Sequence, residues 1–435
     1  MISKDHILEQ VEAFAAEKLK QPDFVPGSTP LPNSGKVLTP DDFRFLVDAC
    51  LDGWITSGRF TKDFERGLAK KVGVRSATFT NSGSSANLLA MSALTSRKLG
   101  KKRLQPGDEV ISAGLGFPTT LNPVIQNSLQ PVLVDVEAGT YNVNPDLLEE
   151  SISPKTRAIF IAHTLGNPFD LTTVMRLAEE FDLWVIEDSC DALGSTFNGQ
   201  LVGSFGDLST LSFFPAHHIT TGEGGAVLSN SPRLRREVES FRDWGRDCYC
   251  DTGCDNTCKK RYEWQLGTLP FGYDHKFTYS NIGYNLKATD LQAALGVAQL
   301  AKLDDFVSQR KHNFLRLHTA LENTAGLELP RALDSADPAW FGFPITLSGG
   351  LRDERNGMVQ FLNSRNIGTR LLFAGNVTRQ PAYRNVDFRI PRGSLPESDR
   401  IMNSSFWVGV YPGLNDQQMD FIAESILTYV ERVKG

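Results

Sequence analysis

The sequence predicts an α/β protein, with a mainly parallel sheet covered on both faces by helices and a smaller α+β domain after it. Short apolar strands recur at residues 77–79, 109–112, 132–136, 158–161 and 184–186. Helical patterns such as residues 172–181 separate them. Strand–helix alternation of this kind gives parallel strands joined by crossover helices. Beyond about Leu327 strands and helices mix again, at residues 343–347, 353–363 and 417–433. A chain of 435 residues exceeds one small core,. We divide it into an N-terminal arm and large domain over residues 1–326 and a small domain over 327–435.

In chain order, Ile7, Leu8, Val11, Phe14, Ala15 and Leu19 share one helical face and predict an amphipathic N-terminal helix,. Residues 21–38 are rich in Pro, Gly, Ser and Asn and read as an irregular connection,. Thr39-Pro40-Asp41-Asp42 is a helix start, with a capping Thr, Pro in the first turn and acids beside it,. Thr61 is read as opening the next helix, through Phe64 and Leu68. Ala77-Thr78-Phe79 is the first strand, followed by a Ser/Gly turn and a helix to Leu94. Further on, residues 224–228 form a buried strand. Residues 291–306 form one long amphipathic helix leading out of the large domain.

Composition narrows the function. Hydrophobic content is 40%, charged content 22% and net charge −6, which gives no electrostatic footprint for nucleic acid,. The N-terminus lacks the apolar core of a signal peptide, and no apolar run approaches the ~20 residues that span a bilayer,. Four of the six cysteines fall within residues 248–258, which is metal-ligand density and not a disulfide framework,. A reducing cytoplasm is the expected location.

Four stretches carry chemistry. Thr80-Asn81-Ser82-Gly83-Ser84-Ser85-Ala86 joins a strand to a helix, where free N–H groups and the helix dipole suit an anion,. Taken alone it could be a plain Ser-rich cap. Glu187-Asp188 ends a strand at the edge where open α/β sheets bind ligands,. Residues 212–225, SFFPAHHITTGEGG, bend at Pro215 and present His217 and His218, which alone could be ordinary turn residues. Cys248, Cys250, Cys254 and Cys258 crowd one polar loop, and four thiolates suit either zinc or an iron–sulfur cluster,.

Together these motifs resemble the sugar-nucleotide aminotransferases that use pyridoxal phosphate, of aspartate-aminotransferase fold type, from about Gly27 to the C-terminus. The resemblance implies an aspartate-aminotransferase-like large domain that binds the cofactor, with the cysteine loop inserted in it. It assigns the cofactor phosphate to Gly83, Ser84 and Ser212, the pyridine nitrogen to Asp188, and the ring face to Phe117. Asn285, in Ser280-Asn281-Ile282-Gly283-Tyr284-Asn285, matches the residue that reaches the phosphate from a neighbouring subunit, which implies a homodimer. Residues 369–376 resemble a substrate-side segment.

Two departures refine this. His217 stands where the family has its cofactor-binding lysine, and no lysine occurs between Lys155 and Lys259. The cofactor must then be held non-covalently, as pyridoxamine or pyridoxal phosphate, while a histidine can still move a proton. The cysteine loop, with Cys190 two residues after Asp188, is similar to the sugar 3-dehydrases that act on CDP-4-keto-6-deoxyglucose and pair pyridoxamine phosphate with a 2Fe–2S cluster. That resemblance implies Cys190, Cys248, Cys250 and Cys258 as ligands, whereas proximity in sequence would choose Cys254 over Cys190. It further implies a nucleotide-linked 4-keto-6-deoxysugar as substrate, His217 as the proton-moving residue and an NADH-dependent flavin/iron–sulfur reductase as electron donor. The rival readings are an aminotransferase, a cluster-free 3-dehydratase and a zinc-stabilised binding protein. Arg246, Lys259, Lys260 and Arg261 flank the thiols as a site for an acidic partner, with Asp243, Asp247, Asp251 and Asp255 interleaved.

Overall fold

The structure, a computed structural model, describes residues 2–20 and 22–434; Met1, Gln21 and Gly435, the ends of the two domain spans and the first residue of the irregular connection, lie outside them. The chain begins with helices α1 (Lys4–Lys18), α2 (Pro40–Leu51) and α3 (Arg59–Val72). Strand β1 (Ser76–Thr80) and helix α4 (Gly83–Leu94) follow, then β2 (Glu109–Ala113), α5 (Pro118–Gln126), β3 (Gln130–Val134) and β4 (Thr156–Ala162). Next come α6 (Leu171–Glu180), β5 (Trp184–Asp188), the short β6 (Thr196–Phe197) and β7 (Gln200–Leu201), β8 (Leu208–Ser212), β9 (Gly225–Ser229) and α7 (Pro232–Arg242). After a long loop come α8 (Asp290–Leu300) and α9 (Leu303–Leu321). The remainder comprises β10 (Leu327–Glu328), β11 (Ala336–Asp337), β12 (Gly342–Leu347), α10 (Arg355–Ser364), β13 (Thr369–Arg370), α11 (Pro396–Ser404), β14 (Ser405–Gly409) and α12 (Asp416–Lys434).

Seven strands form the main sheet in the order β1-β9-β8-β5-β4-β2-β3. The pairs from β8 through β3 are parallel, and only β9 runs against its two neighbours. The expected mainly parallel α/β sheet is therefore present. Its strands are almost wholly buried because both faces are covered,. Successive side chains serve opposite layers: Ala226 and Leu228 pack with Phe64 and Phe213 on one face, while Val227 packs with Leu89 and Val238 on the other,. A second, antiparallel sheet has the order β10-β12-β14-β13. Its core of Phe343, Ile345, Phe406 and Val408 meets Ile426 of α12, and Leu31 of the irregular connection is buried in the same cluster.

Three expectations are corrected. Thr61 does not open α3; the helix starts at Arg59, because the buried carboxylate of Asp290, distant in sequence, accepts from the N–H groups of Gly58, Phe60 and Thr61. The single helix over 291–306 is two, α8 and α9, with a break at Ala301 and Lys302. The break turns the chain from the main sheet, where α8 packs on α2 and α3, to the second sheet, where α9 packs on α12. No Gly or Pro marks it in sequence. In α1 only Leu8 and Ala15 are buried; this helix packs mainly on α2, and Phe14, on the expected apolar face, is exposed.

Candidate active site

At the carboxyl edge of the main sheet a cleft of about 1030 Å³ opens between the two sheets. The residues expected at the phosphate, the ring nitrogen and the ring face come together there. Strand β1 ends into α4, whose first residue is Gly83 and whose cap is the Ser82 hydroxyl, accepting from the Ser85 N–H. Ser212 ends β8 beside it; a Cβ on Gly83 would stand 2.5 Å from that of Ser212, so only glycine lets the turn close there. Gly83, Ser84 and Ser212 all line the cleft. The result is a small-residue cradle at a helix N-terminus, open to an anion.

Asp188 is the last residue of β5 and is buried. Its Oδ2 accepts from Asn87 Nδ2 at 2.9 Å and from Thr120 Oγ1 at 2.7 Å, and its Oδ1 accepts from the Cys190 N–H at 3.2 Å. A carboxylate fixed in this way presents a preset charge to whatever enters the cleft. Behind it lies a second buried pair, His163 Nε2 to Glu187 at 3.1 Å, with the imidazole stacked on Phe169. Asn87, Thr120 and His163 were not singled out in the sequence. Their types are common in helices and turns, and only the topology brings them to Asp188.

The two histidines diverge. His218 turns into the core and donates to the Ala339 carbonyl at 2.6 Å. His217 lines the cleft beside Phe341, with Nδ1 3.4 Å from Asp191. Burial, aided by the positive charge of Arg310, pushes the His217 imidazole down to about 3. It is therefore a neutral base near pH 7. Asp191 is itself pushed up to about 8, by burial first and by Asp188 second. Near pH 7 it therefore faces the imidazole mainly as the neutral acid, and His217 Nδ1 has no hydrogen-bond partner.

Arg310, on α9, is completely buried and holds this turn from below. Its guanidinium donates to the carbonyls of Ala216 and His217 and to those of Trp340 and Phe341. The fork fits four carbonyls that no lysine could satisfy together. Asp191 had a faint signal in sequence, as the third acid of Glu187-Asp188-Ser189-Cys190-Asp191; Arg310 had none.

Phe117 caps α5 and is half exposed at the cleft, edge-on to Phe373 at 5.9 Å between ring centres. From the expected substrate-side segment, Arg370, Leu371, Phe373 and Ala374 all line the cleft. No lysine lines it among the described residues.

Two groups of expected site residues lie elsewhere. Asn285 is exposed and bridges Asp243, away from the cleft of its own chain. Cys190 lines the cleft, whereas Cys248 and Cys250 line a different cavity with Arg236 and Arg246. Cys258 and Cys254 follow on the same loop. Among the described residues, no group of three or more His, Cys, Asp or Glu gathers into a metal-binding cluster. The four expected metal ligands thus do not meet within one chain. Of the flanking basic residues, Arg261 is engaged by Asp274 through paired hydrogen bonds of 2.8 and 2.7 Å, so it is not free for an acidic partner. No helix among the described residues is long and apolar enough to cross a membrane.

Comparison with known proteins agrees with this geometry. The profile of the DegT/DnrJ/EryC1/StrS aminotransferase family matches residues 39–427. The lipopolysaccharide biosynthesis protein RfbH of Salmonella typhimurium is 55% identical over 420 residues, covering 96% of each chain. The dTDP-4-dehydro-2,6-dideoxy-D-glucose 3-dehydratase of Saccharopolyspora spinosa is 54% identical, covering 99% of this chain and 93% of its own. Among solved structures, Escherichia coli GDP-4-keto-6-deoxy-D-mannose-3-dehydratase with bound hydrated PLP superposes with a TM-score of 0.81 at 25% identity, over 91% of this chain and 99% of that one.

Proposed function

The chain belongs to the DegT/DnrJ/EryC1/StrS aminotransferase family, and from that premise we propose that it is a nucleotide-sugar 3-dehydratase that holds pyridoxamine phosphate without a covalent bond. The substrate we infer is a nucleotide-linked 4-keto-6-deoxyhexose, which loses its carbon-3 hydroxyl on the way to a 3,6-dideoxysugar. A CDP carrier is expected from the resemblance; the name of the Saccharopolyspora relative makes the dTDP-linked sugar the comparison substrate. One observation supports the reading: His217, and among the described residues no lysine, lines the cleft together with Asp188 and Gly83.

Bound pyridoxamine phosphate would supply the amine that condenses with the 4-keto group and a ring able to store an electron pair. The chain supplies the rest. Gly83, Ser84 and Ser212 bind the phosphate, and Phe117 stacks on the ring. Asp188 keeps a proton on the pyridine nitrogen, since a fixed carboxylate favours the charged form of its neighbour. His217, neutral, takes a proton from the amine-bearing carbon and, once protonated, passes it to the departing carbon-3 oxygen. Arg310 fixes the backbone of Ala216 and His217 so that the imidazole keeps its place. Net deoxygenation also takes up two electrons, which this reading assigns to a separate NADH-dependent reductase; a 2Fe–2S cluster is the port that the clustered thiols would hold. The working unit is a homodimer, in which Asn285 serves the partner's cleft.

Borohydride trapping tests the non-covalent cofactor. Wild-type protein incubated with pyridoxal phosphate and reduced is expected to keep its unmodified mass, and dialysis should remove the cofactor. His217→Lys should gain one reduced cofactor adduct on residue 217. A reduced adduct on any lysine of the wild type would overturn the reading.

A further inference from the structure

The cleft has a second half, on the small sheet. At about 1030 Å³ it lies at the upper end of the ~300–1,000 Å³ that small-molecule sites span, which leaves room beyond a phosphorylated pyridine. Its charges are uneven. The acids Asp188, Asp191 and Glu223 line it, whereas Arg370 is the only lysine or arginine to do so among the described residues. An anionic substrate entering beside a bound cofactor phosphate therefore has one cation to meet.

Arg370 is also uncommitted. It donates one hydrogen bond, from Nη1 to the carbonyl of its neighbour Thr369 at 2.8 Å, and among the described residues no carboxylate pairs with it. By contrast Arg379, Arg389, Arg392 and Arg400, in the same part of the chain, are each paired with a carboxylate. The sheet sets its direction. β13 is an edge strand, and Arg370 stands directly across from Trp407 on β14. Residues opposite one another project on the same face, and Trp407 is a buried part of the cleft wall.

The irregular connection before α2 supplies neutral polar groups beside it. Leu31 runs parallel to Ile367, its N–H donating to Asn366 and its carbonyl accepting from Gly368, both at 2.8 Å. Gly409 on β14 lets the connection lie close, since a Cβ there would stand 2.5 Å from the Asn33 carbonyl. Pinned in this way, the connection brings Asn33 and Ser34 into the lining with Arg370.

We propose that Arg370, with Asn33 and Ser34, receives the diphosphate of the nucleotide-linked sugar. A planar guanidinium with free N–H groups matches phosphate oxygens two at a time, and amide and hydroxyl groups suit the oxygens that remain. The anion is then held on the small sheet, and the sugar extends toward the main sheet, where His217 and the cofactor cradle stand. This rests on the nucleotide-sugar substrate inferred above. It does not depend on whether the sugar is dehydrated or aminated.

Calorimetric titration of protein saturated with pyridoxamine phosphate tests it, with dTDP against thymidine and CDP against cytidine as probes. The wild type is expected to bind a diphosphate more tightly than its nucleoside. Arg370→Gln should weaken diphosphate binding by roughly ten- to a hundredfold, the usual worth of a hydrogen bond to a charged group, and leave the nucleoside unaffected. Arg370→Lys keeps the charge without the fork and should recover part of the loss. With the sugar nucleotide as substrate, KM should rise by the same factor at nearly constant kcat, because the diphosphate is held alike in ground and transition states. Arg370 is exposed, so the denaturation midpoint should not move. A folded Arg370→Gln protein with wild-type diphosphate affinity would overturn the proposal. So would a loss that falls equally on the nucleoside, or a wild type that binds neither diphosphate. If Arg370→Gln loses the diphosphate while the wild type aminates its sugar, the dehydratase reading falls and the diphosphate site stands.

Discussion

Replacing His217 by Asn is expected to lower kcat by about two to four orders of magnitude, the usual worth of a positioned acid–base group, with little change in cofactor affinity. The imidazole's Nδ1, 3.4 Å from Asp191, makes no hydrogen bond, the ring's bond is to the Cys190 backbone, and Arg310 grips the backbone of residue 217, which any side chain retains. Asn is close in shape and polarity but cannot carry a proton between two atoms. Stability gives an independent readout. His217 binds its proton at about 3 in the folded chain, against 6.5 ordinarily. Between those values the unfolded chain takes a proton that the folded chain refuses, so stability is full above about pH 6.5 and falls as pH drops toward 3,. His217→Asn should lose less stability across that window than the wild type, measured as the denaturation midpoint against pH. A variant with near-normal kcat would remove His217 from the chemistry.

Asp188→Asn is expected to be as damaging, through cofactor binding. Removing one partner of a buried charge pair costs about 3–5 kcal/mol, which is a loss of roughly two to four orders of magnitude in affinity for the protonated pyridine. The surroundings leave an amide no comfortable orientation. Both carboxylate oxygens accept hydrogen bonds, from Asn87 and Thr120 on one side and the Cys190 N–H on the other. Whichever way the amide turns, its NH2 group meets a donor. Titration of the apoprotein with pyridoxamine phosphate, followed by fluorescence, gives the affinity directly. An Asp188→Asn protein that bound the cofactor as tightly as the wild type would show that the carboxylate does not meet the ring nitrogen.

The sequence made the sheet legible because its strands are buried on both faces and read as compact apolar runs, as at residues 158–161. Gly83 and Asp188 were legible for a related reason: a Ser/Gly turn between strand and helix, and an acid at a strand end, are signals local in sequence. What escaped was assembled from afar. Asp290 caps α3 across more than two hundred residues of chain, and Arg310 reaches the His217 turn from the middle of α9. Neither has a neighbour in sequence that betrays its task. The split of the cysteines escaped for the same reason. The resemblance grouped Cys190 with the 248–258 loop, yet β8, β9 and α7 carry the chain away from the cleft between them.

Oxygen exchange at carbon 3 tests the central claim most directly. The protein is incubated with pyridoxamine phosphate and a nucleotide-linked 4-keto-6-deoxyhexose in water labelled with heavy oxygen, with no reductase present, and the sugar is recovered for mass spectrometry. A 3-dehydratase with a neutral His217 in place of a lysine should place label at carbon 3 and release no aminosugar. Conversion of the sugar to its 4-amino derivative, with the carbon-3 oxygen unlabelled, would contradict the account and return the chain to the aminotransferases of its family.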